Sequence, residues 1–509
     1  MNKVKSTFCS FAIAALLLTS CGSKDPNVRF RNAVSSASSD FSKNLVNNYD
    51  SQLKKFNFDD FALSSVFSLE LGKGSKMFVD ILKEETGVNL DWVKHVQLDF
   101  GYGLKEKDFG ANLGLALNNT KLASGNLVCS GDSIFVKVPE LLSDFVSGNI
   151  GFDFYEEAEL GKIRNFYKNF PTAVSINSVI NDIVSSTVSA VNGVTEEKKS
   201  LSVNYNEKAV ENEYSALTLN VTEEISKAMY ESAKTKLSAN KNLDSLIKNI
   251  LALAYSQDEV TEETVSSTKE IFINALESFY EALSDSAITL YVDSADKIAG
   301  FDFVKDEVKV VYQEPVKGKD YAFNFAIFEN NEELGHLVGA GIQNGDKYSG
   351  NYTLVAEDKE IFSFEAKNFA LKDLQKGECK GELNFKIPEF LLEELRYEYG
   401  SSVVAVAKNI SFNLVMDSSY NNGKFIINAL NDQDNIASLT VDAKLTKTNF
   451  SVPKESANIE DEATQEKLKG ITLTNIITNL EKAGVPSEYT DPIKNLTAEE
   501  LAEELSYMF

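Results

Sequence analysis

The sequence predicts an α+β protein in which large, curved antiparallel β-sheets (meanders) pack with helices. Apolar and polar residues alternate in many short segments, as at Leu98, Phe100, Tyr102 and Leu104. This period of two is typical of strands with one dry and one wet face. Apolar residues at helical spacing are concentrated between residues 176 and 283. We therefore expect two related halves made of meanders, with a helical block between them.

The amino terminus predicts export. Lys3 and Lys5 precede an apolar run from Phe11 to Leu18, and small residues follow, which is the pattern of a cleaved signal over residues 1–20. The run ends in Leu18-Thr19-Ser20-Cys21, which resembles a bacterial lipobox. This resemblance implies that the Cys21 thiol carries diacylglycerol and that cleavage makes Cys21 the first residue of the mature chain.

An ordinary secretory signal with an incidental cysteine is one alternative, and an uncleaved transmembrane anchor is another. The apolar run is well short of the roughly 20 residues that span a bilayer, which disfavours the anchor. Two or more acyl chains hold a protein durably on a membrane. The predicted location is therefore the cell envelope, extracytoplasmic and lipid-anchored, with the identity of the membrane left open.

Composition excludes some partners. The chain has 50 Lys and Arg residues against 76 Asp and Glu residues, a formal net charge of -26. Such a chain is repelled by nucleic acid and by anionic head groups, so no nucleic-acid partner is expected. Hydrophobic residues make up 43% of the chain, enough for a packed core.

Cysteine is scarce. If Cys9 leaves with the signal and Cys21 is lipidated, only Cys129 and Cys379 remain. A disulfide would need their Cα atoms within about 7 Å. A chain of this size can build a stable core without disulfides, so we expect two free, half-buried thiols.

The expected domains are an amino-terminal meander with the helical block at 21–290 and a carboxy-terminal antiparallel sheet domain at 291–509. In the first, a long helix precedes the strands, and Pro139-Glu140 ends the strand at Ile134–Val138 because proline cannot donate to the ladder. Thr222 is the expected N-cap of one helix and Gly193 the C-terminal cap of another.

The second domain is predicted to be mostly strand. Asn344-Gly345 and Asn422-Gly423 lie between alternating segments, which is the strongest short hairpin signal. Two helices are expected to close the chain. The first ends in a glycine cap at Gly484, followed by Pro486, and the second begins with a capping box at Thr497 and Glu500.

One internal repeat is visible. Cys129-Ser130-Gly131 is followed by a strand-Pro-Glu segment at 135–142, and Cys379-Lys380-Gly381 is followed by a similar segment at 385–391. Duplication of a meander-plus-helix unit would explain the match. Chance similarity between strand ends explains it equally well.

Catalytic and metal-binding patterns are missing from the sequence. His95 and His336 are the only histidines, and we expect surface or structural roles, with His336 in a turn beside Gly335. No Gly-x-Ser-x-Gly elbow, His-Glu-x-x-His, Cys-x-x-Cys or glycine-rich phosphate loop occurs. The oxygen-rich cluster at 431–435 is typical of a turn. The prediction is no catalytic residue, metal site or cofactor.

Several segments together resemble a group of large uncharacterised lipoproteins of anaerobic, low-GC bacteria. They are the lipobox, residues 136–142, residues 217–224 and residues 480–486. More loosely, the expected curved sheet with helices against its concave side is similar to LolA/LppX-type lipid carriers. That similarity concerns architecture alone.

The leading functional hypothesis is a non-enzymatic lipoprotein that binds a lipid or other amphiphile in an apolar groove. The alternative is a structural or adhesive surface lipoprotein with a packed core and no small-molecule ligand. A carboxylate-based hydrolase is a third, weaker hypothesis. The membrane, through the lipid on Cys21, is the one expected partner, and protein partners are left open.

Overall fold

The fold is described from a computed structural model of the chain. The structure describes residues 25–494 and residues 496 and 500. Within the first range it leaves out 56, 158–159, 255–259, 358, 371–372, 374–376, 400–403, 405–406 and 433. Mixed helix and strand structure with large, mostly antiparallel open sheets confirms the coarse fold class. Among these residues, no helix combines the length and the apolarity needed to cross a membrane.

The chain forms two compact units, and both are discontinuous in sequence. The described residues of unit 1 fall within 25–55, 169–377 and 388–398, and unit 2 takes 57–168, 378–387 and the residues from 399 onward. The predicted domain boundary at residue 290 lies inside unit 1 and is not a boundary of either unit. Strands far apart in sequence pair with each other in unit 2, and local patterns carry no signal for such pairing.

Unit 1 contains six helices and ten strands among its described residues. The helices are α1 (Pro26–Lys55), α5 (Ala173–Ser189), α6 (Glu223–Ala239), α7 (Lys241–Ala254), α8 (Glu262–Leu283) and α9 (Glu389–Tyr399). The strands are β7 (Thr195–Tyr205), β8 (Lys208–Val221), β9 (Ser286–Val292), β10 (Ile298–Lys305), β11 (Val308–Gln313), β12 (Val316–Lys317), β13 (Asp320–Glu329), β14 (Glu332–Asn344), β15 (Lys347–Ala356) and β16 (Lys359–Ala370).

The strands of unit 1 form one antiparallel meander. Its order is β7-β8-β9-β10-β11-β13-β14-β15-β16, and the short β12 pairs with β13. The predicted helical block packs on one face of β8–β10 and is therefore part of this unit. Its main core contains Leu217, Leu290, Met229 and Leu237, all at most 2% exposed.

Unit 2 carries the remaining elements. Its helices are α2 (Lys76–Thr86), α3 (Phe154–Glu157), α4 (Leu160–Asn169), α10 (Glu462–Lys469), α11 (Thr474–Lys482) and α12 (Ser487–Thr490). Its strands are β1 (Asp60–Leu71), β2 (His95–Lys105), β3 (Asp108–Leu117), β4 (Thr120–Ser130), β5 (Ser133–Lys137), β6 (Val146–Asn149), β17 (Cys379–Lys386), β18 (Ile410–Ser419), β19 (Asn422–Asn431), β20 (Asp434–Thr446) and β21 (Ala457–Asn458).

The sheet of unit 2 joins the two ends of the chain. Its order is β17-β18-β19-β20-β1-β2-β3-β4-β5-β6-β21. Every pair is antiparallel except β6 with β21. The junction is the antiparallel pair β1–β20, whose register aligns Phe67 with Val441 and Leu69 with Leu439. This long-range pair makes two meanders into one sheet.

Hairpin turns are built mostly from residues other than glycine. The predicted Asn344-Gly345 hairpin is present, but Gly345 and Asp346 form its turn. Near Asn422-Gly423 the turn is instead Tyr420-Asn421, two residues earlier. Asn118-Asn119 and Asn330-Asn331 form further two-residue turns with positive φ at both positions. Asparagine tolerates this backbone, so an Asn-Gly search finds only part of the set.

Two predicted helix ends are confirmed. Thr222 caps α6 by accepting a hydrogen bond from the Ile225 N–H. Gly484, with φ +89°, follows α11 and its N–H donates to the Glu481 carbonyl. The predicted cap at Gly193 is wrong, because α5 already ends at Ser189 with Ala190 as its C-cap. Of the predicted capping box, Thr497 lies outside the described residues, and only Glu500 is described.

The two repeat segments have different local structures. Cys129-Ser130 ends β4, and a turn separates it from β5, whereas Cys379-Lys380-Gly381 lies within the single strand β17. After Pro139 the chain turns toward β6, but after Pro388 it enters α9. The predicted relation between two halves is therefore not confirmed.

Candidate apolar binding site

The sheet of unit 2 collects apolar side chains on one face. Because alternation and register agree across seven strands, two parallel rows form, which we call the apolar face. One row contains Leu115, Leu98, Phe67, Val441, Phe425 and Met416, and the other contains Leu117, Val96, Leu69, Leu439, Ile427, Leu414 and Leu383. Phe100 and Leu113 pair beside the first row.

The central part of the apolar face is exposed. Phe67, Leu69 and Leu98 are each 39% exposed, and Leu113 reaches 51%. In unit 1, by contrast, apolar side chains such as Leu217 on β8 are fully buried beneath helices. The sequence predicted the alternation of β2 correctly but expected its apolar side to be dry. Alternation shows which residues share a face and gives no information on what covers them.

The dimensions of the apolar face suit hydrocarbon chains. Neighbouring strands lie about 4.8 Å apart, so seven strands extend over roughly 29 Å across the sheet. This is close to the ~30 Å hydrocarbon thickness of a bilayer, which two acyl chains span end to end. Large exposed apolar patches are typical of interaction sites, so this face is the candidate binding site of unit 2.

One end of the apolar face is closed by a helix. Leu117 packs in a small core with Leu122 and Ala483, and Leu480 of α11 and Trp92 pack against this core. Trp92 is the only tryptophan in the chain, so it is a natural fluorescent reporter for this end of the face.

The opposite face of the same sheet is polar. A chain of side-chain hydrogen bonds crosses four strands: Asn413 donates to Asn384 at 2.7 Å, Asn428 to Asn413 at 3.0 Å, Ser438 to Asn428 at 2.7 Å and Asn435 to Ser438 at 2.8 Å. Within this hydrogen-bonded chain, Asn435 Oδ1 is buried and has no hydrogen-bond partner among the described residues. The sheet is therefore amphipathic, with a hydrogen-bonded face and an exposed apolar face.

Unit 1 contains a smaller apolar groove on β11 and β13–β15. Its volume is about 270 Å³, slightly below the lower end of the range for small-molecule pockets. Its lining includes the apolar residues Val310, Phe325, Ile327, Leu337 and Leu354, together with Glu329 and His336. We call this cavity the unit 1 groove.

The two histidines lie in different units, and each contacts one described polar side chain. His95 Nε2 lies 2.6 Å from Ser68 Oγ on the polar face of unit 2. His336 Nδ1 contacts Glu333 Oε1, and this histidine lies within β14, not in the predicted turn. It pairs with Ala326 and Val355 on the neighbouring strands.

No cluster of three His, Cys, Asp or Glu side chains suited to a metal ion occurs in the described part of the chain. Of the oxygen-rich segment 431–435, Asp432 has a positive φ in the turn between β19 and β20, as expected of a turn residue, and residue 433 is outside the description. Cys129 and Cys379 are both free. Cys21, the predicted lipidation site, lies outside the described residues.

The sequence missed one polar cluster. Glu314 and four tyrosines of unit 1, at positions 312, 321, 348 and 352, act on one another electrostatically. Burial, together with the negative charge of Glu314, raises the pKa of Tyr348 to about 12. These residues come from three strands and the segment after β11, so no spacing along the chain could have identified the cluster.

Comparison with known proteins adds no relative. No protein-family model matches the chain, and a search of curated proteins likewise gives no match. Among solved structures, "The Structure of Intact Ap-TbpB (N and C lobes)" aligns with 76% of this chain and 77% of that chain, at 6% identity and a TM-score of 0.10. A score this low shows no shared fold and carries no argument about function.

Proposed function

We propose that this protein is a lipid-anchored, extracytoplasmic protein that binds a lipid or other amphiphile without catalysing a reaction. The single observation that carries the proposal is the apolar face of unit 2. Burying a leucine or phenylalanine side chain stabilises by about 1.5–3 kcal/mol, so leaving several of them more than a third exposed is costly unless a ligand covers them. Acyl chains are the ligand class whose length and apolarity match the face.

The acidic composition narrows the ligand. A net charge of -26 disfavours anionic surfaces and a second copy of the same acidic chain. A single amphiphile molecule carries far less charge than such a surface, so the acidic protein repels it less. The rival hypothesis of an adhesive protein with a fully packed core has less support, because it leaves the exposed face unexplained.

Energy transfer from Trp92 to a fluorescent fatty acid tests the binding proposal. The chain from residue 22 is titrated with cis-parinaric acid, an 18-carbon probe, and Trp92 emission is followed. We expect saturable quenching. A Phe67→Ser/Leu98→Ser variant should bind at least tenfold more weakly, since both are exposed, neighbouring side chains of the apolar face.

The matched control is Ile271→Ser, which removes an exposed apolar side chain from α8 of unit 1. It should bind the probe as the native chain does. Equal binding by the native chain and the double variant would contradict the proposed site. Absence of binding in all three would contradict the proposed function.

The anchor is tested separately. In cells, the full chain should incorporate a palmitate analogue and sediment with membranes, and Cys21→Ser should do neither. Cys9→Ser is the control, since Cys9 lies within the predicted signal. Labelling that survives Cys21→Ser would overturn the assignment of the lipidation site.

A further inference from the structure

Unit 1 carries an unusual carboxyl group, Glu314, two residues after Tyr312, whose cross-strand neighbour Phe325 lines the unit 1 groove. Glu314 is half-buried, and its one described side-chain hydrogen bond comes from the Tyr312 hydroxyl, 2.6 Å from Oε2. Lys297 acts on it electrostatically, but no ion pair with Glu314 is found among the described residues. A half-buried carboxylate without a cationic partner is costly when ionised.

An aromatic floor lies on the same face of the sheet. Gly339 leaves no room for a Cβ because the Tyr352 ring covers it. The Tyr352 hydroxyl bonds to the Tyr321 hydroxyl, and the Tyr352 ring stacks on Phe364 with centroids 5.1 Å apart. Tyr348 meets the Tyr321 ring edge-on at 5.1 Å.

The floor and the unit 1 groove are adjacent. Tyr312 is the cross-strand neighbour of Phe325, which lines the groove, and Phe325 pairs in turn with Leu337. Two residues further along these strands, Phe323 pairs with Gly339, and Gly339 pairs with Tyr352. The face thus changes within two residues from an apolar groove to aromatic rings beside a carboxyl group.

The geometry points to a second ligand site in unit 1, for an organic cation: a compact apolar body in the unit 1 groove and an ammonium group against Glu314 and the tyrosine rings. Charge complementarity carries the choice of a cation. Aromatic faces attract ammonium groups, and the Glu314 carboxylate supplies the opposite charge. The groove volume of about 270 Å³ limits the apolar part to a short chain or a ring.

Calorimetric titration of the chain from residue 22 with octyltrimethylammonium tests the site, and octyl sulfate is the anionic probe of equal chain length. The native chain should bind the cation and discriminate against the sulfate at least tenfold. Glu314→Gln should weaken cation binding at least tenfold. The Tyr312 hydroxyl can still donate to the glutamine oxygen, so the fold should be retained, as circular dichroism would check.

Two further variants separate this site from general attraction to an acidic protein. Glu332→Gln removes an exposed carboxylate from β14 and should leave binding within twofold. Leu337→Trp fills the groove with Glu314 intact and should also weaken binding at least tenfold. Unchanged binding by both Glu314→Gln and Leu337→Trp, equal affinity for the two probes, or no binding of the cation would overturn the inference. The site does not depend on the apolar face of unit 2, so Phe67→Ser/Leu98→Ser should bind the cation normally.

Discussion

Arg29 Nε lies 2.6 Å from Asp296 Oδ1 in an ion pair that is buried on both sides. The same guanidinium donates to Ser215 Oγ at 3.0 Å and contacts Glu196. These contacts fix the start of α1 to β7, β8 and the turn after β9. Arg29 is eight residues after the predicted lipidation site at Cys21.

We expect Arg29→Met to destabilise unit 1 by about 3–5 kcal/mol, because Asp296 would remain buried without its cation. Urea unfolding would measure the loss in the free energy of unfolding, and hydrogen exchange of the α1 amides would show that unit 1 is affected. Lys76→Met removes an exposed pair with Asp80 and should have little effect. A smaller loss in Arg29→Met/Asp296→Asn than in Arg29→Met would identify the uncompensated carboxylate as the cause. An Arg29→Met variant as stable as the native chain would contradict this account.

Glu314→Gln should stabilise the protein at pH 7 and leave its stability unchanged near pH 4. Desolvation raises the pKa of Glu314, against the opposing effects of Tyr312 and Lys297. Because the pKa is higher in the folded state, protonation of Glu314 stabilises the folded protein, and this stabilisation is fully present below the unfolded-state pKa of about 4.3. That stability is lost as the pH rises through the folded-state pKa. Glutamine removes this dependence.

Urea unfolding at the two pH values checks this, with Glu332→Gln as the exposed control. If the free energies of unfolding of the native chain and of Glu314→Gln changed with pH in parallel, the site would not destabilise the ionised carboxylate, and this account would be wrong. Stabilisation at neutral pH together with loss of cation binding would be the trade-off expected of a functional group.

Glu207→Gly should stabilise the β7–β8 hairpin by about 0.5–1 kcal/mol. Glu207 has φ +64° and follows Asn206, also at positive φ, in a two-residue turn. A glutamate pays a steric cost there that glycine avoids, and Asn-Gly is the preferred pair for this turn. Glu197→Gly, in the extended part of β7, should instead lower stability by about 0.5–1 kcal/mol. Thermal unfolding would give both values, and a loss of stability in Glu207→Gly would refute the turn assignment.

Cys379 should react with iodoacetamide at least tenfold faster than Cys129 in the folded chain. Burial raises the pKa of both thiols, but Cys129 is only 2% exposed, whereas Cys379 is half-buried. Peptide mapping after timed labelling distinguishes the two. After unfolding, both should label without prior reduction, and an unlabelled pair would reveal a disulfide.

The sequence predicted the strands of the apolar face but not the face itself. The period of two at Leu98 and Phe100 is local, and it identified β2 correctly. The pairing of β1 with β20 joins residues 366 to 384 positions apart, and only that pairing aligns Phe67 with Val441. Exposure depends on which helices cover a sheet, and the helical block covers β8–β10 of unit 1.

The polar cluster around Glu314 was missed for a similar reason. Tyr312, Tyr321, Tyr348 and Tyr352 lie on three strands, and register alone brings them together. Thr222, by contrast, was predicted correctly because a helix cap depends on neighbours within three residues. Local rules therefore found the elements, while the candidate sites required the tertiary pairing.

Native mass spectrometry of the chain from residue 22, expressed in bacteria and purified without detergent, tests the central claim most directly. The account predicts a stoichiometric added mass that organic solvent extracts as an amphiphile with acyl chains, and its loss in Phe67→Ser/Leu98→Ser. A bare protein mass that stays unchanged after incubation with a total lipid extract would contradict amphiphile binding by the apolar face.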